Sequence, residues 1–339
     1  MQPIWSRWLA ATSVLVYLAG GATRPQYGGT LRVEIREAIE TADPPQDSPG
    51  IADLGAAFSI TRWEGGRSAI YAADDSAPGG RPYLDSIEIQ MGRPLRDEAI
   101  DLELGKADLV ELGPNELRRA VAGRRVWRSA PVRLLALQFG SEAIDPRVRE
   151  GLALSVDRAA IHSVLFQRQG EIAGGLLPQW ISGYTFLFAT TPDPARARSL
   201  AGPLPAALRA LTLSYKDPAW RAVADRIAVN ARDAGLTVTA VPANSAADLR
   251  LVEVRIRSAE PWQALAGLAA SLGLAEPAHT TTAEALFAAE RNLLADFRII
   301  PLLHLPYVYG VGPRVRGGPG ITPLGEWRFE KLWLEGTRP

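Results

Sequence analysis

The sequence contains no cysteine. This absence excludes disulfide bonds, thiol catalysis and thiolate metal sites, and it excludes a lipid-modified cysteine as a membrane anchor. Net charge is also absent, because 37 lysines and arginines balance 37 aspartates and glutamates. A neutral chain offers no electrostatic basis for binding nucleic acid, so we expect no nucleic-acid partner.

Histidines and the short motifs of catalysis are scarce. The three histidines, His162, His279 and His304, are scattered and form neither an H-x-x-x-H nor an H-x-H pair, so a metal site has little support. There is no G-x-S-x-G motif and no P-loop, and residues 310–312, which read GVG, are followed by proline rather than by a helix. We therefore expect a protein without enzymatic activity and without a cofactor.

Long apolar runs are few, and the one at the N-terminus is short. In residues 1–22, Arg7 is the only charged side chain, residues 9–19 are largely apolar, and residues 20–22 read GGA. This arrangement predicts an export signal that is cleaved near Ala22. The apolar run is shorter than the roughly 20 residues of a membrane-spanning helix, which leaves an uncleaved anchor as the alternative.

Strand and helix patterns alternate along the rest of the chain, which is typical of an α/β protein. With 47% hydrophobic residues, the 339-residue chain can form one large or two medium domains. The strands are predicted at 30–36, 57–63, 86–91, 108–112, 133–139, 211–215, 237–241, 249–256 and 299–308. The helices are predicted at 96–104, 114–121, 194–200, 218–234, 261–272 and 282–297, with a further pair after residue 145.

Residues 145–184 carry the most detailed pattern. Asp145 and Pro146 suit the N-cap and the first turn of a helix, and Asp157 suits the N-cap of a second one. Gly170 stands where a helix would end in the left-handed conformation. We therefore predict two short helices followed by an aromatic loop that contains glycine and proline.

Four blocks of the chain resemble family 5 of the bacterial extracellular solute-binding proteins, the dipeptide and oligopeptide receptors of ABC importers. Residues 27–33 read YGGTLRV, like the first strand of that family, and residues 81–89 read RPYLDSIEI, like its "grPYLDsIei" segment. Residues 148–161 carry VR-x-x-L-x-x-x-VDR-x-x-I, and residues 193–200 resemble "dp-x-x-A-x-x-L". The blocks follow the order of the family, and the resemblance covers most of residues 27–317.

The resemblance implies a two-lobed periplasmic-binding-protein fold of type II with a hinge. Lobe one would comprise residues 28–139 and 300–339, and lobe two would comprise residues 140–299. Residues 133–140 would carry the chain out of lobe one, and residues 299–306 would carry it back. In the family, ligand is held between the lobes and the membrane permease recognises the closed form.

Two departures from the family pattern affect the expected function. Members are usually much longer, and here only residues 37–80 connect the first two blocks, so most of the family's extra subdomain is predicted to be missing. The oligopeptide receptors also carry an acid that grips the peptide's amino group shortly before an acid-Pro pair. Arg257 stands near that position, before Glu260 and Pro261, and a cation there would repel an amine. Recognition of free peptides is therefore weakened.

Six residues near the lobe boundary are candidates for ligand contact, because binding clefts combine apolar walls with a few orienting polar groups. They are Gln138, Trp180, Tyr184, Arg257, His304 and Tyr307. Structural alternatives exist, since Trp180 and Tyr184 can pack their own loop and Gln138 can satisfy hinge backbone. Likewise, Arg257 can be a solvated charge and His304 a buried core histidine.

The sequence thus predicts a monomeric periplasmic solute-binding protein that captures a small ligand, by default a peptide, and delivers it to an ABC permease. The alternative is a divergent, non-transporting member of the same fold that serves as an interaction or scaffold module. The missing subdomain and the missing amine-gripping acid favour this alternative.

Overall fold

The computed structural model describes residues 24–42, 51–120, 125–141, 143–184, 187–242 and 246–336. The predicted export signal, residues 1–22, lies outside the described residues. The strands are β1 (Thr30–Glu34), β2 (Phe58–Glu64), β3 (Ser68–Ala73), β4 (Ser86–Gln90), β5 (Leu109–Glu111), β6 (Arg125–Arg128), β7 (Arg133–Phe139), β8 (Glu171–Ile172), β9 (Ala210–Tyr215), β10 (Thr237–Pro242), β11 (Leu249–Arg255), β12 (Ile299–Leu305), β13 (Val308–Val311), β14 (Val315–Arg316) and β15 (Trp333–Leu334).

Helices connect most of these strands, as the alternating pattern predicts. The α-helices are α1 (Leu95–Glu103), α2 (Pro114–Ala120), α3 (Pro146–Ser155), α4 (Arg158–Ala160), α5 (Gln179–Ser182), α6 (Pro194–Ala201), α7 (Arg221–Asp233), α8 (Pro261–Ser271) and α9 (Ala283–Leu294). Short 3-10 helices cover Ile51–Ala56, Ala206–Arg209 and Pro218–Trp220, and a π-helix covers Ile161–Leu165. Among the described residues, no helix is long and apolar enough to cross a bilayer.

Two mixed sheets form the framework, which confirms the predicted two-lobed α/β fold. The first sheet has the order β2-β3-β4-β1-β5-β13-β6, with β1 parallel to both β4 and β5. The second sheet has the order β10-β9-β11-β7-β12-β8, with β9 parallel to both β10 and β11. We call the part built on the first sheet lobe one (residues 24–128 and 308–336) and the part built on the second sheet lobe two (residues 133–305).

The chain passes between the sheets at positions that differ from the prediction. The crossings were expected at residues 133–140 and 299–306. Instead, residues 133–139 are β7 and residues 299–305 are β12, and these strands pair with each other inside the second sheet. The connections are therefore residues 129–132 and 306–307. Pro306 explains why one predicted strand became two, because proline has no N–H to donate to a sheet.

Strand β7 shows why its residues belong inside lobe two. Leu134 and Ala136 pack in one apolar cluster together with α8 and α9. Leu135 and Leu137 point to the other side and pack with α3 and α7. A continuous apolar run without alternation is what a strand needs when both faces of its sheet are covered.

The helix pair after Asp145 forms as predicted at its start. The Asp145 carboxylate accepts from Arg147 N at 2.9 Å, and the Asp157 carboxylate accepts from Ala160 N at 2.8 Å. The second helix is α4 continued by the π-helix, and Gly170 follows with φ of +75°. A Cβ at Gly170 would lie 2.1 Å from the backbone oxygen of His304, so a side chain would not fit there.

The family's extra subdomain is predicted to be missing from residues 37–80. The described part of this range, residues 37–42 and 51–80, contributes a short 3-10 helix and a hairpin to lobe one. The hairpin consists of β2 and β3, and β3 pairs with β4 so that β2 forms an edge of the first sheet. Strand β3 was not predicted, because its sequence SAIYAA does not alternate clearly between polar and apolar residues.

Candidate ligand-binding cleft

A cavity of about 980 Å³ lies between the two lobes and receives side chains from both. On the lobe-one side, residues 36–37 follow β1 and residues 111–116 include the end of β5. On the lobe-two side, residues 216–223 follow β9. Ligands of open α/β sheets bind outside the carboxyl ends of the parallel strands, so we call this cavity the cleft and treat it as the candidate binding site.

Tyr307, in the return connection, contributes to the floor of the cleft. Its side chain is buried between two cations, with the guanidinium carbon of Arg133 4.6 Å and that of Arg255 5.8 Å from the ring centroid. A cation over an aromatic face is attracted by the ring's quadrupole. Burial raises the pKa of the Tyr307 hydroxyl, so the ring stays neutral between the two charges.

Two ion pairs lie in the cleft. Arg133 Nη1 lies 2.9 Å from Glu253 Oε1, and its Nη2 donates to Pro306 O at 2.7 Å. Arg36 of lobe one forms an ion pair with Asp217 of lobe two. The second carboxylate oxygen of Asp217 accepts from Ala219 N at 2.8 Å, so Asp217 caps its own helix while it binds the other lobe.

Three carboxyl groups, those of Glu37, Glu98 and Glu111, lie on the lobe-one side of the cleft or next to it. Glu98 is completely buried, and its Oε2 accepts from Glu111 N at 2.7 Å. Burial raises the pKa of Glu98 well above its ordinary value, and the neighbouring Glu111 raises it further. Burial also raises the pKa values of Glu37 and Glu111, which line the cleft. These shifts favour the protonated, neutral form of the carboxyls.

An apolar wall faces this group from lobe two. Phe166 follows the π-helix and Trp220 precedes α7, and their ring centroids are 6.0 Å apart. Leu251 extends the wall from β11. The cleft thus combines an apolar wall with charged groups of both signs, which is the composition of small-molecule and peptide sites.

Of the six residues predicted from the sequence, Tyr307 is the one that the structure places in the cleft. Gln138 lies at the far end of β7, where its Nε2 donates to Leu272 O at 2.8 Å. Arg133, at the near end of the same strand, is the residue beside the crossing. The prediction chose Gln138 because it placed the crossing at residues 133–140, whereas the connection is residues 129–132.

The remaining predicted residues make other contacts. Trp180 Nε1 donates to Pro131 O at 3.2 Å, and the Tyr184 hydroxyl donates to buried Glu290. His304 is 2% exposed, with Nε2 2.9 Å from the backbone oxygen of Leu176 and Nδ1 3.4 Å from Glu171 Oε1. Arg257 is exposed and does not line the cleft. Their roles in ligand binding stay predictions.

The charged residues of the cleft were missed by the sequence analysis. Arg36 and Glu37 follow β1 after one intervening residue, and Lys216 and Asp217 follow β9 directly. Paired charges at the carboxyl end of a predicted parallel strand were the available signal. No group of histidines and carboxylates among the described residues is arranged to hold a metal ion.

The sequence profile of bacterial extracellular solute-binding proteins, family 5, matches residues 33–263, more than half of the chain. The chain belongs to this family. Because the match includes the ends of β1, β5 and β9, it covers most elements that form the cleft of this family 5 protein. A comparison with curated protein sequences found no match.

Solved structures of similar fold share little sequence with this family 5 protein. A dipeptide-binding protein from Pseudoalteromonas sp. SM9913 in complex with Met-Leu has a TM-score of 0.71 at 12% identity, covering 82% of this chain and 64% of that one. NikA from Staphylococcus aureus in complex with Ni(L-His)2 has a TM-score of 0.70 at 15% identity, covering 82% and 68%. The oligopeptide-binding protein AppA from Bacillus subtilis in complex with a nonapeptide has a TM-score of 0.66 at 14% identity, covering 84% and 69%.

These likenesses concern the fold. The chain spans about two thirds of the length of the structures that it matches. The three structures hold a dipeptide, a nickel complex and a nonapeptide, so the shared fold does not specify one ligand.

Proposed function

We propose that this chain is the extracytoplasmic solute-binding protein of an ABC importer, which captures a small ligand in the cleft and delivers it to a membrane permease. The observation that carries the proposal is the cavity of about 980 Å³ lined by both lobes. Its volume is at the upper end of the range of about 300–1,000 Å³ that is usual for small-molecule pockets. The shortened chain therefore keeps room for a ligand although it lacks most of the family's extra subdomain.

Hinged closure of the lobes supports capture. Two connections, residues 129–132 and 306–307, join the sheets, and few residues have to change conformation for the lobes to move. The Arg36–Asp217 pair joins the lobes across the cleft. A ligand that contacts both lobes shifts the population toward the closed form, which is the form that a permease would recognise.

A peptide is the default ligand in this proposal, and the cleft chemistry is compatible with it. The wall formed by Phe166 and Trp220 suits an apolar side chain, while the Arg133–Glu253 pair presents both charge signs to a zwitterion. Of the six residues named from the sequence, the proposal uses Tyr307, which lines the cleft. We further propose that the protein is exported, that its signal is cleaved near Ala22, and that it is a monomer in the periplasm.

A thermal-shift screen of residues 23–339 against peptides, amino acids, sugars and small anions tests the proposal, because a ligand that binds only the folded state raises the melting temperature. We expect one chemical class to raise the melting temperature. In the variant Ala222→Trp, which places a large side chain in the cleft, the shift should be lost. The variant Val229→Trp, at an exposed position about two turns further along the same helix and outside the cleft, is the matched control.

The contrary result would be the absence of any shift for folded protein across all four classes. That result would favour the alternative of a non-transporting interaction module. The exposed edge strand β2, with residues 59–62 open to solvent in place of the family's extra subdomain, is the feature that favours this alternative.

A further inference from the structure

A second, smaller cavity lies at the hinge. It has a volume of about 390 Å³ and contacts both connections between the lobes, through Pro131 and Pro306. Residues 167–170, which follow the π-helix and which we call the hinge loop, contribute its lobe-two side. We call this cavity the hinge pocket. It adjoins the cleft, because Gln169 and Pro306 line both.

The charged residues that line the hinge pocket are all positive. Arg128, the last residue of β6, contributes from lobe one, and Arg168 contributes from lobe two. Neither guanidinium has an ion-pair partner within the part of the chain that the structure describes, and none of the residues lining the pocket is acidic. The cleft differs, because its arginines Arg36 and Arg133 are paired with carboxylates.

Glu116 and Glu171, two acidic residues near these arginines in the sequence, do not line the hinge pocket. Glu171 follows the hinge loop directly, but its Oε1 accepts from Gln179 N at 3.1 Å and lies 3.4 Å from His304 Nδ1. Glu116 lines the cleft rather than the hinge pocket. The two arginines are therefore available to an external anion.

The backbone of the hinge loop holds Arg168 in an unusual conformation. Gln167 and Arg168 have φ values of +52° and +63°. These values lie in the left-handed region of backbone conformation, which residues other than glycine rarely adopt. Arg168 N donates to His162 O and Gln169 N donates to Phe166 O, both at 2.9 Å. Strain of this kind persists where the surroundings over-determine it, and it concentrates at ligand sites.

We propose that the hinge pocket binds an oxyanion, a phosphate or a carboxylate, between Arg128 and Arg168. Two guanidiniums supply planar donor forks that match the oxygens of such anions. Gln169 contributes a further side-chain amide to the pocket, and Gln167 Nε2, which donates one N–H to Asn115 Oδ1 at 3.4 Å, has a second N–H. Because the two cations belong to different lobes and repel each other when the lobes close, a bound anion stabilises the closed arrangement.

The anion has two possible sources, a free ion or the anionic end of a solute held in the adjoining cleft. Inorganic phosphate is the probe for the first source. A tripeptide and the same tripeptide as its C-terminal amide are the probes for the second, in which case the inference rests on the proposed function. Each probe is titrated into the wild type, into the double variant Arg128→Gln/Arg168→Gln, and into Arg226→Gln. Arg226 is an exposed arginine on α7 that serves as a control for the loss of one charge.

We expect inorganic phosphate to raise the melting temperature more than chloride of equal ionic strength does, in the wild type and in Arg226→Gln. The double variant should bind phosphate at least about tenfold more weakly, as expected from losing charge-assisted hydrogen bonds. If phosphate has no effect, but the tripeptide binds more tightly than its amide and the double variant loses that preference, the pocket holds the end of the solute.

The inference is overturned if neither the phosphate response nor the preference for the free carboxyl group depends on the two arginines. An unchanged melting temperature of the double variant without ligand confirms that it is folded. The proposed function is tested separately, because the screen of the cleft can succeed or fail whichever way the phosphate titration turns out.

Discussion

Lobe one and lobe two each contain a completely buried glutamate, but the two carboxyl groups accept different numbers of hydrogen bonds. In lobe two, Glu290 accepts from Leu176 N, from Leu177 N at 3.0 Å and from the Tyr184 hydroxyl. In lobe one, Glu98 Oε2 accepts from Glu111 N at 2.7 Å, while Oε1 is buried and has no hydrogen-bond partner among the described residues. The Glu290 carboxylate is thus an anchor for a loop, whereas the Glu98 carboxyl is held in a poorly solvated place beside the cleft.

The different hydrogen bonds affect the pKa values of the two glutamates differently. Burial raises the pKa of Glu290, but its three donors lower it and so oppose that effect. For Glu98, burial and the charge of Glu111 act in the same direction, and one backbone donor opposes them. Lobe two therefore uses its buried acid for rigidity. Lobe one keeps a buried carboxyl whose neutral form is favoured by burial and by the neighbouring Glu111.

The largest expected effect comes from removing the anchor of lobe two. Glu290→Ala leaves two backbone N–H groups and the Tyr184 hydroxyl without their acceptor in a buried place, and each unsatisfied group costs on the order of 1–3 kcal/mol. We expect the free energy of unfolding to fall by about 3 kcal/mol or more. Urea unfolding at neutral pH measures this change.

Glu290→Gln is the matched control for this prediction. Its amide keeps the volume of the side chain and retains an oxygen that can accept from the two backbone N–H groups. We expect a loss smaller than that of Glu290→Ala. Equal losses in both variants would show that the charge, and not the hydrogen bonds, makes Glu290 an anchor.

The next effect concerns Glu98 and depends on pH. A carboxyl whose pKa is raised by folding stabilises the fold fully below its unfolded pKa, and this contribution is lost as the pH rises toward the folded value. Glu98→Gln cannot ionise, so its free energy of unfolding relative to the wild type should rise from pH 5 to pH 8. The slope should be at most about 1.4 kcal/mol per pH unit.

Urea unfolding of both proteins at four pH values between these limits provides the measurement. Glu88→Gln, at an exposed position of β4 in the same lobe, controls for the loss of a charge without burial. A constant difference between Glu98→Gln and the wild type at all four pH values would show that Glu98 is ionised in the folded protein.

A smaller effect is expected where the two lobes meet. Asp217→Asn removes the charge that binds Arg36 but keeps a side chain suited to cap the helix. We expect stability to change by no more than about 1 kcal/mol, because both side chains are partly exposed. The lobes of the ligand-free protein should nevertheless separate more often.

The absence of cysteine allows this separation to be measured cleanly. Spin labels on Leu104→Cys in lobe one and Val229→Cys in lobe two, both at exposed positions, report the distance between the lobes. Asp217→Asn should broaden the distance distribution toward longer values. Asp225→Asn, which breaks the Arg221–Asp225 pair within α7, should leave it unchanged. Equal distributions in all three proteins would show that the cross-lobe pair does not hold the lobes together.

Local signals in the sequence were sufficient for most of the fold. The caps of Asp145 and Asp157 depend on neighbouring residues, and they formed as predicted. Strand β7 was predicted with its observed limits, because five of its seven residues are apolar and four of these are consecutive. Its place in the second sheet was not predictable in this way, because strand pairing depends on residues far away in the chain.

The site was harder to predict for the same reason. Tyr307, which lines the cleft, was named because it lies beside the predicted return of the chain, and its role in ligand binding stays a prediction. Arg36 and Asp217 meet across 181 positions of sequence. Glu253 reaches Arg133 through the pairing of β11 with β7. These contacts depend on register and on closure of the lobes, which no local pattern contains.

Calorimetric titration tests the central claim, capture of a solute in the cleft, most directly. The solute that raises the melting temperature most in the screen is titrated into the wild type, Ala222→Trp and Val229→Trp. We predict one site per chain in the wild type and in Val229→Trp, and no detectable binding to folded Ala222→Trp, because tryptophan at position 222 occupies the cleft. Equal affinity in all three proteins would contradict the account and place the ligand elsewhere.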